Sequence, residues 1–131
     1  MNKNIILLLI ILLNLSCTDN KDGDWDDNIK LSQKEFQFDG LENSATITTE
    51  GSSWWISEIF FKDGETFDLS NIDTTSENFT ITESEFTLER INGKEIVIKL
   101  FENTTGSERI FNIGLQAGNY FDGITIIQST D

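Results

Sequence analysis

Apolar and polar residues alternate with a period of two from Ile29 to the end of the chain, in short runs separated by Gly, Asn, Asp and Ser. This alternation indicates β-strands with one buried face, because successive side chains of a strand point to opposite faces of the sheet. The pattern predicts an all-β domain with eight candidate strands. They are residues 35–38, 44–49, 54–61, 79–82, 86–91, 95–101, 109–117 and 123–128.

Short glycine-containing dipeptides between these strands predict how the strands are connected. Asn92-Gly93 has the composition of a type I′ hairpin turn, which needs positive φ at both central residues, and Asp63-Gly64 repeats it before residues 65–67. Gly118-Asn119 joins the last two long strands, and we expect a wider loop there that runs to Gly123. About seven to eight strands in about 100 residues predict an immunoglobulin-like sandwich of two sheets, with a small open barrel as the alternative.

The chain contains no histidine and only one cysteine. This composition excludes His-based metal sites, cysteine clusters, Ser-His and Cys-His catalytic arrangements and an internal disulfide. We therefore expect no metal and no other cofactor. The formal net charge of -14 opposes binding to nucleic-acid phosphates, so nucleic acid is not an expected partner.

Residues 1–16 have the pattern of a secretory signal peptide, with Lys3 followed by an unbroken Ile/Leu run over residues 5–13. That run is too short for a bilayer core, which needs about 20 helical residues, and it fits a signal-peptide h-region. Cys17 follows Ser16 directly, and the junction resembles the lipobox of bacterial lipoproteins, although Asn14 stands where an apolar residue is usual. We expect Cys17 to be the lipidated first residue of the mature chain. The alternative is ordinary cleavage that leaves a free thiol.

Residues 17–28 combine the expected lipidated cysteine with a run of aspartates and predict a disordered acidic tether. The run resembles the acidic export signal of lipoproteins on the outer face of the outer membrane in Bacteroidetes-type bacteria. Asp22-x-Asp24-x-Asp26 also resembles the start of a calcium loop, but Asp27 and Gln33 replace the glycine and glutamate that such a loop needs. The mature chain would carry a charge of -15, from 8 basic and 23 acidic residues, so its membrane anchor must be the lipid.

Three stretches resemble the BACON domain, a Bacteroidetes-associated domain often found N-terminal to carbohydrate enzymes. They are SATITTEGSSWWI at 44–56, NTTGSER at 103–109 and GITIIQS at 123–129. The family shows a threonine-rich strand entering a Ser-Trp, an Asn-x-Thr-Gly-x-x-Arg turn and a closing strand that ends in Gln. The likeness spans Ile29 to Ser129 of the predicted domain at 29–131, and residues 60–85 depart from it. It implies an immunoglobulin-like sandwich and a role in glycan or mucin binding, with a spacer role as plausible for many members.

Trp54 and Trp55 are neighbours on a predicted strand, so their side chains point to opposite faces. Trp54 shares its face with Ile56 and is expected in the core, whereas Trp55 is expected to be exposed or covered by the loop at 62–78. An exposed indole suits stacking on a sugar ring or on an apolar patch of a partner. We therefore predict a contact site for a glycan or a protein partner. Its members are Trp55, Tyr120 and Phe121, with Asn119 and Asp122 as hydrogen-bonding groups.

Glu83 and Glu85 are the carboxylates considered for catalysis, and their spacing on an extended chain offers nothing that would separate an acid from a base. No enzymatic activity is expected. Arg109 is predicted to brace the Asn103–Gly106 turn. Asp73-Thr74-Thr75 resembles a bacterial O-glycosylation acceptor, but a plain polar loop is the default interpretation of this short match. The expected protein is a monomeric surface lipoprotein of the outer membrane that binds glycans. The alternative is a spacer or protein-interaction lipoprotein.

Overall fold

The structure, a computed structural model, describes residues 25–130, so the predicted signal peptide, Cys17 and most of the tether lie outside the described residues. Eight strands and no helix are found in this range, which confirms the all-β prediction. The strands are β1 (Glu35–Phe38), β2 (Asn43–Thr48), β3 (Trp55–Phe61), β4 (Phe79–Thr82), β5 (Phe86–Ile91), β6 (Glu95–Leu100), β7 (Arg109–Ala117) and β8 (Tyr120–Gln128). Residues 25–130 therefore contain no helical segment that could cross a bilayer.

The strands form two sheets of four, which confirms the two-sheet sandwich. The first sheet has the order β1-β8-β7-β3 and the second has the order β2-β6-β5-β4. All strand pairs are antiparallel except β1 with β8, which is parallel. This is the immunoglobulin arrangement, with β2, β6 and β5 in the positions of strands B, E and D and β3, β7 and β8 in those of C, F and G.

The core consists of the inward side chains of both sheets. Fully buried isoleucines and leucines alternate along the central strands, for example Ile96, Ile98 and Leu100 on β6. Trp54 is 2% exposed, which confirms its predicted core position just before β3. Its indole Nε1 donates to Thr49 Oγ1 at 3.1 Å and to the Gly51 carbonyl at 3.1 Å, so the buried polar edge of the ring is satisfied.

The observed hairpin turns agree only in part with the type I′ turns predicted from the sequence. Asn92 and Gly93 have φ values of 49° and 75°, as a type I′ turn requires. At Asp63-Gly64 only Asp63 has positive φ, and the following segment pairs through a single bridge between Phe60 and Thr66. The type I′ prediction is therefore wrong at this second turn.

The connection between β7 and β8 differs from the expected wide loop. Ala117 pairs with Tyr120, so the turn contains only two residues, Gly118 and Asn119. Gly118 has a φ of 60°, which allows the tight reversal without a Cβ penalty. The prediction of a loop running to Gly123 was wrong, because β8 already begins at Tyr120.

One buried charge fixes the long segment between β3 and β4. Arg90 is 1% exposed, and its guanidinium lies over the Trp54 ring at 3.6 Å from the centroid. All of its hydrogen-bond acceptors are backbone carbonyls. They belong to Ser52, Trp54, Thr74, Ser76 and Gly93, at 2.7 to 3.4 Å.

Candidate functional site

The outer faces of the two sheets differ in chemistry. On the second sheet the outward positions are mostly Thr, Ser, Glu and Lys, with Ile91 and Val97 as the larger apolar exceptions. The outward positions of the first sheet hold five large apolar side chains, and we call this surface the apolar face. They are Trp55, Phe60, Ile110, Phe121 and Ile127. Phe121 is exposed and the other four are half-buried. A concentration of apolar side chains on one outer face marks a contact surface more strongly than scattered ones do.

Two aromatic rings share one row of the apolar face. Trp55 pairs with Gln116, and Gln116 pairs with Phe121, so the two aromatic residues stand on either side of one amide side chain. Their strands are two spacings apart, which is about 10 Å across the sheet. Phe121 is 64% exposed and Trp55 is half-buried. The structure thus places Trp55 and Phe121 on one outward surface.

The neighbouring row of paired residues on the apolar face, called the glycine row, has little side-chain volume because it contains two glycines. Gly114 pairs with Gly123 on one side and with Glu58 on the other. A β-bulge between Ile56 and Glu58 directs both Ser57 and Glu58 outward. A Cβ at Gly114 would come within 2.8 Å of Glu58 Cγ and of Ser57 Oγ, so only glycine lets these side chains lie over β7. Glu58 Oε1 lies 3.3 Å from the same point, which puts its carboxylate above the glycine row.

Tyr120 and Asp122 lie on the opposite side of β8 from Phe121. They pair with the inward-facing Ala117 and Leu115, and Tyr120 packs against the core. Tyr120 Oη donates to Asp122 Oδ2 at 3.1 Å, and Lys34 Nζ lies 2.7 Å from the same oxygen. The predicted group of contact residues is therefore divided. Trp55 and Phe121 share the apolar face, Asn119 is exposed at the turn, and Tyr120 and Asp122 face the N-terminal segment.

The contacts around Tyr120 shift the pKa values of Tyr120, Lys34 and Asp27. Burial, followed by the hydrogen bond to Asp122, raises the pKa of Tyr120 to about 12. The hydrogen bond to Asp122 raises the pKa of Lys34. Hydrogen bonds from the Lys30 and Ile29 amides, of which the Lys30 bond is the larger cause, lower the pKa of Asp27. The Lys34–Asp122 contact attaches the start of the domain to β8. It occupies Asp122, one of the two groups predicted to hydrogen-bond to a ligand, whereas Asn119 stays exposed.

The far end of the sandwich holds a polar network of residues that carry the family resemblance. Gln128 is buried and accepts from Arg109 Nε at 2.7 Å, while its amide donates to the Leu41 and Phe101 carbonyls. Arg109 also donates to the Phe101 carbonyl. Asn103 holds its own turn through Thr105 and Ser107. Arg109 therefore braces the base of this loop through the Phe101 carbonyl rather than the Asn103–Gly106 turn itself.

A cleft of about 580 Å³ opens at this same end, and Phe61, Phe67, Glu85 and Arg109 are among its lining residues. Arg109 Nη1 lies 3.5 Å from Glu85 Oε1, so this carboxylate is paired with a cation rather than with a second carboxylate. Within residues 25–130 no three His, Cys, Asp or Glu side chains are grouped as metal ligands would be. The cleft thus offers a charged wall beside two phenylalanines.

Comparison with known proteins finds similarity to solved structures only. No family model matches the chain, and no curated protein matches it. A solved structure described as the NMR structure of the protein from Bacteroides thetaiotaomicron is similar, with a TM-score of 0.63 and 20% identity. The alignment covers 88% of this chain and 96% of that one. At this identity the likeness supports the sandwich fold alone.

Sequence reasoning missed several residues that matter for the site and its scaffold. Arg90 stands at an inward position of β5 after Phe86 and Leu88, so the alternation itself marked it as a buried charge. The alternation likewise marked Gln116 as outward, whereas its pairing with both aromatic residues depends on the register of the strands. Glu58 had no such signal, because the bulge that directs it outward shifts the alternation of β3 by one residue.

Proposed function

We propose that this protein is a non-catalytic, lipid-anchored module that binds glycans at the apolar face. The observation that carries the proposal is the row formed by Trp55, Gln116 and Phe121. Two aromatic side chains about 10 Å apart provide flat apolar surfaces for sugar rings, and the amide between them can hydrogen-bond to hydroxyl groups. The resemblance of the domain to the BACON family supports the same function.

The proposed setting is the outer membrane, with the domain facing the cell exterior. It rests on the lipobox-like sequence at Cys17 and on the aspartates that follow it, of which only Asp26 and Asp27 belong to the described residues. Several acyl chains on one cysteine anchor a protein stably. Labelling with a radioactive fatty acid tests the anchor, and the label must be absent from a Cys17→Ala variant. Protease added to intact cells tests the exterior location, because full protection of the domain would contradict it.

Affinity electrophoresis through gels containing single polysaccharides tests glycan binding. The chain from Thr18 to Asp131 is compared with Trp55→Ala and Phe121→Ala variants, whose thermal unfolding must match that of the unsubstituted chain. Trp25→Ala is the matched control, because it removes another exposed indole from a position before the sandwich. We expect retardation by at least one polysaccharide, a loss of that retardation in both variants of the apolar face, and no loss in the control.

Absence of retardation on every polysaccharide would refute the proposal. A spacer or protein-interaction lipoprotein would then be the better account, and the high negative charge would favour a basic protein as the partner. Retardation that survives both substitutions would instead place binding away from the apolar face.

A further inference from the structure

The charged side chains on the strands of the apolar face are limited to acids. Along the four strands of the first sheet, the only charged residues at outward positions are Glu35 on β1 and Glu58 on β3. Arg109, which opens β7, pairs with the buried Gln128 and so belongs to the inner side. The chain as a whole carries a charge of -14. Lys62, which directly follows β3 and donates its amide to the Ile110 carbonyl at 2.8 Å, lies beyond Phe60 at the end of the face away from Trp55. An anionic sugar would therefore approach the row of Trp55 and Phe121 against repulsion and would find no cation on the strands around it.

The polar groups around the glycine row suit uncharged hydroxyls. Thr125 Oγ1 donates to Asn112 Oδ1 at 3.1 Å, and the Asn112 amide nitrogen has no partner among residues 25–130. Gln116 Nε2 donates to the Gly118 carbonyl at 2.9 Å, and within the described range its oxygen accepts nothing. A sugar hydroxyl both donates and accepts, so it can bond to a free amide N–H and to a free amide oxygen on the same surface.

Glu58 is the strongest acceptor in this arrangement. Its carboxylate lies above Gly114, one row from Trp55 and Phe121 and one row from Asn112. It makes no ion pair with a residue between 25 and 130. Two carboxylate oxygens can accept from two neighbouring ring hydroxyls, and the missing side chain at Gly123 leaves room for the ring beside them.

We propose that the apolar face selects uncharged glycans and that Glu58 orients the sugar ring by accepting hydrogen bonds from its hydroxyls. The inference rests on the proposed function and narrows it to one chemical class. Trp55 and Phe121 supply the apolar contact, whereas Glu58 fixes which hydroxyls are presented. The carboxylate of Glu58 repels polysaccharides that carry carboxylates or sulfates and so excludes them.

The test compares uncharged with anionic polysaccharides in affinity gels. The uncharged probes are mixed-linkage glucan, xylan, mannan and galactan, and the anionic probes are polygalacturonate, chondroitin sulfate and sialylated mucin. The chain from Thr18 to Asp131 is run beside Glu58→Gln and Glu58→Ala variants. Glu89→Gln is the matched control, because Glu89 is an exposed carboxylate on the outer face of the second sheet.

We expect retardation by an uncharged polysaccharide only. Glu58→Gln should weaken that binding about tenfold and Glu58→Ala at least as much, since a charge-assisted hydrogen bond is lost. Glu89→Gln should leave it unchanged. Unfolding temperatures of all variants establish that the fold is kept.

Each other outcome overturns a definite part of the account. Salt-sensitive retardation by an anionic polysaccharide would overturn the selection of uncharged glycans and leave glycan binding itself in place. Unchanged affinity in Glu58→Gln would remove the role of Glu58. Absence of binding to every probe would refute the proposed function and this inference together.

Discussion

Replacement of Arg90 by methionine should destabilise the domain strongly, although it keeps a side chain of similar length in place. The guanidinium is buried and donates to five backbone carbonyls. Two of these, at Thr74 and Ser76, belong to the long segment between β3 and β4, and another is the Trp54 carbonyl beside the core. Burial lowers the pKa of Arg90, but a guanidinium stays charged in the neutral range.

The size of the effect follows from the acceptors that would lose their donor. A hydrogen bond to a charged group contributes about 1.5–3 kcal/mol, and an unpaired buried acceptor costs about 1–3 kcal/mol. Such contributions do not add fully, so we expect a loss of about 3–5 kcal/mol of unfolding free energy, on the order of two such terms. For a domain near 100 residues this corresponds to a decrease of about 12–20 °C in the unfolding temperature, at about 4 °C per kcal/mol.

Thermal unfolding by circular dichroism measures this decrease, and limited chymotrypsin digestion reports on the long segment. Arg90→Met should expose Phe67 and Leu69 to cleavage below the unfolding temperature. Arg90→Lys keeps the charge but has fewer hydrogen-bond donors, so its unfolding temperature should lie between those of the unsubstituted protein and Arg90→Met. A decrease of less than about 5 °C in Arg90→Met, with unchanged cleavage, would refute the reasoning, because water would then replace the guanidinium at little cost.

The remaining predictions concern the core, the glycine row and the tyrosine cluster. Trp54→Ala should cost about 3–5 kcal/mol of unfolding free energy in urea titrations, whereas Trp55→Ala should cost far less. Gly114→Ala should cost about 1–3 kcal/mol because its Cβ would meet the bulge; an unchanged denaturation midpoint would contradict the close approach. Tyr120 is the only tyrosine, so absorbance of the phenolate at alkaline pH should give a pKa of about 12, and Asp122→Asn should lower it. Since the folded pKa is above the unfolded value near 10, stability should fall as pH rises from about 10 to 12.

Most of the fold could be predicted because its signal is local. Alternation located all eight strands, and the Asn92-Gly93 turn follows from the need for positive φ at both positions. The same alternation separated Trp54 from Trp55. These features depend on residues that are close along the chain, so a single sequence contains what is needed to infer them.

The candidate site was predicted less well because it depends on contacts that are distant in sequence. Tyr120 and Asp122 look like loop residues until β8 is seen to begin at Tyr120, and Asp122 turns inward towards Lys34 on a segment far away along the chain. Glu58 reaches the glycine row only because of a bulge, which changes the face of each residue around it. Pairing register and bulges have no local signal of comparable strength.

The most direct test of the central claim is a two-dimensional NMR titration of the chain from Thr18 to Asp131 with short uncharged gluco-, xylo-, manno- and galacto-oligosaccharides. The three tryptophans each give a separate indole signal, so the protein contains its own comparison. Glycan binding at the apolar face should give saturable shifts of the Trp55 indole and of the Gln116 and Phe121 amides, with the Trp54 and Trp25 indoles unchanged. Shifts confined to the cleft around Arg109, or no shift with any oligosaccharide, would contradict it.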